Sequence, residues 1–158
     1  MTTIAYRAGV LAADTGMTVG GSRLGSIVKI ARREDGALAG AAGNAWYSAA
    51  FLAWFLGGAS GAPPEAKLDQ SNIDRGVIFL ADGTIEVFEP GGSFKLTAPY
   101  FAFGAGRPEA LGAMHAGASA VGAVQAAIEH DEHTFGDITV LLHEQALGLK
   151  EQQLQAAE

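Results

Sequence analysis

Residues 1–14, which read Met-Thr-Thr-Ile-Ala-Tyr-Arg-Ala-Gly-Val-Leu-Ala-Ala-Asp, hold two short, mainly apolar runs on either side of Ala8-Gly9. The first run covers residues 3–7 and the second covers residues 10–14. A glycine between two such runs is typical of a tight turn between antiparallel strands, because glycine adopts positive φ without strain. This stretch therefore predicts a β-hairpin at the start of the chain.

Two later hairpins are predicted in the same way, because Asp35-Gly36 and Asp82-Gly83 each lie between apolar or alternating runs. Asp-Gly at that place favours the type I′ turn that joins paired strands. The predicted strands of these hairpins, and the other strands of the chain, are residues 26–33, 37–42, 76–80, 84–89, 93–97, 101–103 and 137–142, the last of them buried.

A first helix is predicted over residues 45–56, where 11 of 12 residues are apolar. Asn44 is a favourable N-cap and Gly57-Gly58 follows the last helical residue. A helix that is apolar on all sides needs cover on all sides. We expect a sheet to cover one face, and a further layer or another subunit to cover the rest.

Two more helices are predicted near the C-terminal end, one from Pro108 to about residue 116 and one from residue 118 or 119 to about 129. Strands, a helix, strands, two helices and a final strand indicate an α+β sandwich rather than a βαβ array. Residues 59–72, which include two prolines, are predicted to cross the surface irregularly. Residues 1–143 are expected to form one domain, and residues 144–158 a polar, loosely attached helical tail.

The composition excludes several classes of function. The chain has 158 residues with 10 Lys plus Arg and 17 Asp plus Glu, a net charge of −7, and no cysteine. An acidic chain lacks the basic face that nucleic acid requires, and without cysteine it has no disulfide, thiolate ligand or thiol nucleophile. Charged residues are only 17% of the chain and 49% is apolar, which favours a surface partly covered by copies of itself.

The longest uncharged stretch, residues 37–64, is interrupted by glycines, and only residues 45–56 are densely apolar. A membrane span needs about 20 such residues. No targeting segment is visible, because Arg7 and Asp14 interrupt the N-terminal region. We expect a soluble, cytoplasmic protein with no membrane contact.

Thr2 is the principal candidate nucleophile. Methionine before a small residue is normally removed in the cytoplasm, so a methionine aminopeptidase is expected to leave Thr2 first. An N-terminal threonine combines a hydroxyl nucleophile with an α-amine whose ordinary pKa, roughly 7.7–8.0, makes it a usable base near neutral pH. The alternative is that Met1-Thr2-Thr3 merely begins a strand.

Over about residues 2–143 the chain resembles the proteasome β-subunit and HslV family of N-terminal-nucleophile hydrolases, and most closely their short bacterial and phage relatives. Six stretches carry the resemblance in the family's order: Thr2-Thr3-Ile4, residues 10–15, Lys29-Ile30, residues 38–43, residues 103–106, and Asp131 with Thr134 and Gly136. The resemblance implies a four-layer αββα sandwich of two antiparallel sheets flanked by helices.

The resemblance also implies a catalytic role for three residues in the first third of the chain. Thr2 would attack a peptide carbonyl through Oγ, and its α-amine, through a water, would take the proton. Lys29 would lie beside Thr2, where its charge favours the alkoxide and lowers the pKa of the amine. Asp14 would hold Lys29 in place and charged. Taken alone, Asp14 is more typical of a turn residue and Lys29 of a solvated charge on a strand.

Three further roles follow from the same resemblance. The backbone N–H of Gly43 would stabilise the oxyanion, while Asp131 and Thr134 would support the amine and the hydroxyl. Two departures affect this part of the site. Ala105 stands where the family usually has Ser within Gly-Ser-Gly, and Thr134-Phe135-Gly136 replaces the usual Ser-Gly-Gly. Both changes affect the proton-handling side of the site, so slow or restricted activity is expected.

The resemblance therefore implies a threonine peptidase that acts on peptides or unfolded proteins within a homo-oligomeric ring, with an ATPase unfoldase as an open question. A ring- or shell-forming scaffold without catalysis and a small-molecule amidase of the same fold are the alternatives. No cofactor or metal is expected. Residues 130–133 with His143 match no standard zinc spacing, and Gly104-Ala105-Gly106 lacks the third glycine of a dinucleotide site.

Overall fold

The computed structural model describes residues 1–143, so the predicted tail at residues 144–158 lies outside the described residues. The described part holds eleven strands and three helices. In chain order these are β1 (Thr3–Arg7), β2 (Val10–Asp14), β3 (Gly16–Val19), β4 (Ser22–Ser26), β5 (Ile30–Arg32), β6 (Leu38–Ala42), α1 (Ala45–Leu56), β7 (Arg75–Phe79), β8 (Ile85–Glu89), β9 (Gly92–Leu96), β10 (Tyr100–Gly104), α2 (Arg107–His115), α3 (Ala120–His130) and β11 (Ile138–Leu142).

Two antiparallel sheets form the centre of the molecule. One has four strands in the order β10-β1-β2-β11, and the other has five in the order β5-β6-β7-β8-β9. Their facing sides share one core, in which Ile4 and Leu11 from the first sheet pack with Val77 and Phe79 from the second. All four side chains are buried, because alternate residues of each strand point towards the other sheet.

Helices cover the outer side of each sheet. Phe51 and Phe55 of α1 pack on the five-stranded sheet beside Ile78. On the other side, α2 and α3 pack against Ala5 and Ala12, whose small side chains allow close approach. The layers are therefore helix, sheet, sheet and helix, which confirms the predicted αββα sandwich.

Within residues 1–143, only one face of α1 is covered. The helix begins after Asn44, whose side chain accepts a hydrogen bond from the Trp46 N–H at 2.9 Å, and it spans the predicted residues. On its outer face Trp46 is 86% exposed and Leu56 is 52% exposed. The cover predicted for this face does not come from residues 1–143. None of the helices in these residues is long and apolar enough to cross a membrane.

Two strand predictions were wrong in detail. Residues 26–33 do not form one strand, because the chain first makes the β3–β4 hairpin around Gly20 and Gly21, both at positive φ. Lys29 consequently lies in the link between β4 and β5. β11 was predicted to be buried, yet among the described residues it pairs only with β2 as an edge strand, and Val140 is 43% exposed.

Candidate active site

A pocket of about 540 Å³ opens where the ends of several strands meet. Thr2 stands before β1, Lys29 before β5 and Gly43 directly after β6, and all three line this pocket. Trp46 of α1 and Met17 of β3 form part of its wall. The fold therefore brings three of the six predicted site residues to one cavity.

Asp14 and Lys29 form a buried ion pair beside this pocket. The distance from Lys29 Nζ to Asp14 Oδ2 is 2.9 Å, and the side chains are 5% and 0% exposed. Asp14 Oδ1 also accepts the Thr3 N–H at 2.9 Å, so the carboxylate is fixed to the start of β1. Burial lowers the pKa of Lys29, and the charge and hydrogen bond of Asp14 oppose this by favouring the ammonium form.

The ammonium of Lys29 also contacts the bond between the first two residues. Lys29 Nζ donates to the carbonyl oxygen of Met1 at 2.9 Å. The nitrogen of Thr2 is bonded to the carbon of that same carbonyl, so it is two bonds away from the oxygen that Lys29 contacts. The pKa of the Met1 amine is lowered from 8.0 by burial and then by the charge of Lys29, and Asp14 and Asp131 partly offset this.

The two remaining predicted residues, Asp131 and Thr134, lie in a second hydrogen-bonded cluster. Thr134 Oγ1 donates to Asp131 Oδ2 at 2.5 Å, and the same hydroxyl lies 2.6 Å from Thr3 Oγ1. Thr3 Oγ1 in turn accepts the Gly106 N–H at 2.8 Å. Because the Thr134 proton is directed at the carboxylate, Thr3 donates to Thr134. The chain of donors runs from Gly106 through Thr3 and Thr134 to Asp131.

This cluster holds Thr3, whereas Asp131 and Thr134 were predicted to support the amine and the hydroxyl of Thr2. Thr3 is buried, and sequence reasoning gave it no role. The alternation of side chains along a strand could have indicated this role, because neighbouring residues of a strand point to opposite faces. With Thr2 on the pocket side, Thr3 had to point towards α2 and the loop before β11.

The turn at Gly43 depends on a second residue that sequence reasoning missed. Gly43 has φ +114°, a conformation that favours glycine, and a Cβ there would lie 2.7 Å from Asp74 Cα. Asp74 is 6% exposed, and its Oδ1 accepts the Asn44 N–H at 2.8 Å. A single carboxylate before the apolar run of β7 gave no sign of this contact.

Histidine and acidic residues do not converge in the described part of the chain. His143 Nδ1 lies 2.8 Å from the Gly36 carbonyl oxygen, and its Nε2 lies 3.1 Å from the Tyr6 hydroxyl. Within residues 1–143, no group of three or more His, Asp or Glu side chains could hold a metal ion. His143 therefore joins the two sheets, and it takes no part in a cluster with residues 130–133.

The architecture of the chain matches those of known proteins, although its sequence does not. No family model and no curated protein matches the chain in sequence. Solved structures do match. Thiobacillus denitrificans BPH superposes with a TM-score of 0.63 at 21% identity over 90% of this chain and 97% of that one. Its complex with epoxomicin gives a TM-score of 0.61 at 22% identity, with the same coverage. Eukaryotic HslV from Trypanosoma brucei gives a TM-score of 0.62 at 19% identity over 89% and 99%.

The layers, the strand order and these superpositions define the class. The chain has the N-terminal-nucleophile hydrolase fold. Within that class it resembles the proteasome β-subunit and HslV family, as its sequence motifs predicted. At 19–22% identity these similarities establish the fold alone.

Proposed function

We propose that the chain is a threonine peptidase that uses Thr2 as its nucleophile once Met1 has been removed. The observation that carries the proposal is the buried ion pair of Asp14 and Lys29, whose ammonium reaches the carbonyl of the Met1–Thr2 bond. A buried lysine held by a carboxylate at the first peptide bond is costly to maintain for structure alone. It is well placed to stabilise charge that develops on Thr2.

The proposed reaction has two steps. Thr2 Oγ attacks a peptide carbonyl, its proton passes through a water to the Thr2 amine, and the leaving amine takes that proton as the C–N bond breaks. Water then hydrolyses the ester and restores the hydroxyl. Lys29 favours the alkoxide, and the Gly43 N–H donates to the oxyanion, where a fixed donor has the greatest effect.

Removal of Met1 is part of the proposal. While Met1 is attached, the Thr2 nitrogen is an amide without a basic lone pair, so it cannot accept the hydroxyl proton. Lys29 is also engaged with the Met1 carbonyl oxygen. Loss of Met1 would free one donor of Lys29 and convert the amide of Thr2 into the amine that the mechanism requires.

A scaffold without catalysis is favoured by one observation. Ala105 stands beside Thr2, donating its N–H to the Thr2 carbonyl oxygen at 2.6 Å, and it offers no hydroxyl to the amine. A chain of this fold that assembles but does not cleave would retain the sandwich and the exposed face of α1. Protein without Met1 that assembles and hydrolyses nothing supports this second function.

Assembly into a homo-oligomeric ring is the second part of the proposal. The outer face of α1, with Trp46 and Leu56 exposed, is a large apolar surface of the kind that marks interfaces. We expect light scattering to give a multiple of the 16.2 kDa chain mass at micromolar concentration. Trp46→Ser should weaken the assembly, whereas Phe94→Ser at the exposed edge of β9 serves as the control. A 16.2 kDa monomer contradicts this part of the proposal.

The experiment that tests the function combines a substrate and an inhibitor. Chain that begins at Thr2 should hydrolyse fluorogenic peptides, and Thr2→Ala should not. Because one structural relative was solved in complex with epoxomicin, we also expect this compound to inhibit the chain, with the bound inhibitor localised to Thr2 by peptide mass mapping. Wild-type turnover by Thr2→Ala contradicts the proposal.

A further inference from the structure

Asp74 is a buried carboxylate that the proposed mechanism does not use. It lies immediately before β7 and is 6% exposed. Its Oδ1 accepts the Asn44 N–H at 2.8 Å, and its Oδ2 accepts the Lys67 N–H at 3.0 Å. Burying a charge is costly unless it is well hydrogen-bonded, and these two backbone donors meet that need.

Gly43 is held from both sides. Its preceding neighbour, Ala42, pairs with Arg75 at the end of the β6–β7 ladder. Its following neighbour, Asn44, is bound by Asp74 through the N–H. Asp74 is also in direct contact with Gly43, where a Cβ would lie 2.5 Å from Oδ1. Because the residues on both sides are anchored, the peptide that carries the Gly43 N–H has little freedom to rotate.

Asp74 also joins two walls of the pocket. Its backbone N–H donates to the Lys67 carbonyl oxygen at 2.9 Å, so side chain and backbone together fasten residue 67. The segment between them includes Ser71 and Asn72, which line the same pocket as Gly43. One side chain therefore fixes the turn before α1 and the irregular segment opposite it.

We propose that Asp74 is a positioning residue that orients the Gly43 N–H towards the oxyanion. This inference rests on the proposed function, because the orientation of that amide matters only if an oxyanion forms there. A misaligned donor weakens binding of the transition state more than binding of the substrate. Loss of Asp74 should therefore lower kcat and leave KM nearly unchanged.

The test compares three variants of the chain that begins at Thr2. Removing an oxyanion donor costs about 10²–10³-fold in kcat, so we expect Asp74→Ala, which leaves the donor misplaced, to lose about 30–100-fold. Asp74→Asn has nearly the same shape and one acceptor oxygen, and it should lose about 3–10-fold. Asp82→Asn is the matched control, since Asp82 accepts the Thr84 N–H in the exposed turn between β7 and β8, at the other end of β7 from Asp74, and kcat should not change.

A second readout separates positioning from folding. A peptide aldehyde forms a tetrahedral adduct whose oxygen occupies the oxyanion site, whereas a peptide alcohol of the same sequence has no carbonyl there and binds without reacting. In Asp74→Asn the inhibition constant of the aldehyde should rise in proportion to the loss of kcat/KM, and that of the alcohol should stay within about twofold.

The possible outcomes distinguish the inference from the proposed function. Equal kcat in wild type and folded Asp74→Asn, or a parallel loss of aldehyde and alcohol affinity, overturns the role of Asp74 while the peptidase stands. A wild-type chain that begins at Thr2 and shows no turnover overturns both. If Asp74→Ala does not fold, Asp74→Asn alone tests the positioning role of Asp74, and its melting temperature shows whether it is folded.

Discussion

The two hydrogen-bonded clusters at the start of β1 differ in charge and in the groups that they contact. Asp14 and Lys29 form an ion pair that reaches the Met1–Thr2 peptide bond. Asp131 and Thr134 form a chain of hydroxyl and carboxylate groups that ends on Thr3. The first cluster can stabilise developing charge on Thr2, whereas the second fixes the strand that presents Thr2. We therefore expect the first to govern chemistry and the second to govern position.

The largest effect should come from the nucleophile and its lysine. Thr2→Ala removes the attacking oxygen, so hydrolysis of fluorogenic peptides should fall at least about 10⁴-fold, and Lys29→Ala should fall to within about tenfold of that. Residues that act as a unit are not additive, and the double variant should be no less active than Thr2→Ala alone. Multiplied losses in the double variant would show that the two residues act independently.

The two carboxylates provide the sharpest contrast between the clusters. Asp14→Asn removes the partner of a buried lysine, which costs about 3–5 kcal/mol of stability, and we expect a loss of about 10³-fold in kcat/KM. Asp131→Asn keeps an acceptor for Thr134, so we expect a loss of about tenfold or less. Chemical denaturation and peptide hydrolysis measure the two quantities. Equal losses would remove the distinction between the clusters.

Thr3 tests the positional cluster by itself. Thr3→Val has nearly the same shape but leaves the Gly106 N–H without its acceptor, which should cost about 1–3 kcal/mol of unfolding free energy. Activity of the folded protein should fall less than about tenfold, because Thr2 and Lys29 are untouched. Thr3→Ser keeps the hydroxyl and should recover most of the stability. A loss for Thr3→Val as large as that for Lys29→Ala would place Thr3 in the chemistry.

The smallest effect is a shift to lower pH of the rising limb in the pH profile of kcat/KM. Burial and Lys29 lower the pKa of the first amine below 8.0, and the Thr2 nitrogen is bonded to the carbonyl that Lys29 contacts, so we expect the same direction after Met1 is removed. The free base then forms below pH 8, and kcat/KM should rise with a midpoint below 8. Burial also lowers the pKa of Lys29 from 10.5, so activity should fall again below pH 10.5. A rising limb at or above pH 8 would contradict this arrangement.

Local patterns in the sequence were sufficient to predict most of the fold. The first hairpin and α1 have the predicted bounds, because turn glycines and an N-cap are local signals. The β3–β4 hairpin was missed, since its exposed residues show little hydrophobic alternation. The half-buried state of β11 depends on its place at the sheet edge, which local sequence does not specify.

The site was less accessible to prediction, because its contacts join distant parts of the chain. Lys29 was identified through a resemblance, and its bond to Asp14 spans 15 positions. The bond from Thr3 to Thr134 spans 131 positions, and the one from Asn44 to Asp74 spans 30. Folding can bring many different hydrogen-bond partners to a polar residue at the end of a strand. Packing selects among them, so the partners of Thr3 and Asp74 became visible only in three dimensions.

The state of the first residue tests the nucleophile most directly. The chain can be produced behind a cleavable fusion partner that is cut either before Met1 or before Thr2, and intact mass confirms each form. The proposed mechanism predicts that the form beginning at Thr2 hydrolyses peptides and that the form beginning at Met1, otherwise identical, does not. Equal hydrolysis by a form that verifiably retains Met1 would contradict the role of the Thr2 amine as the base.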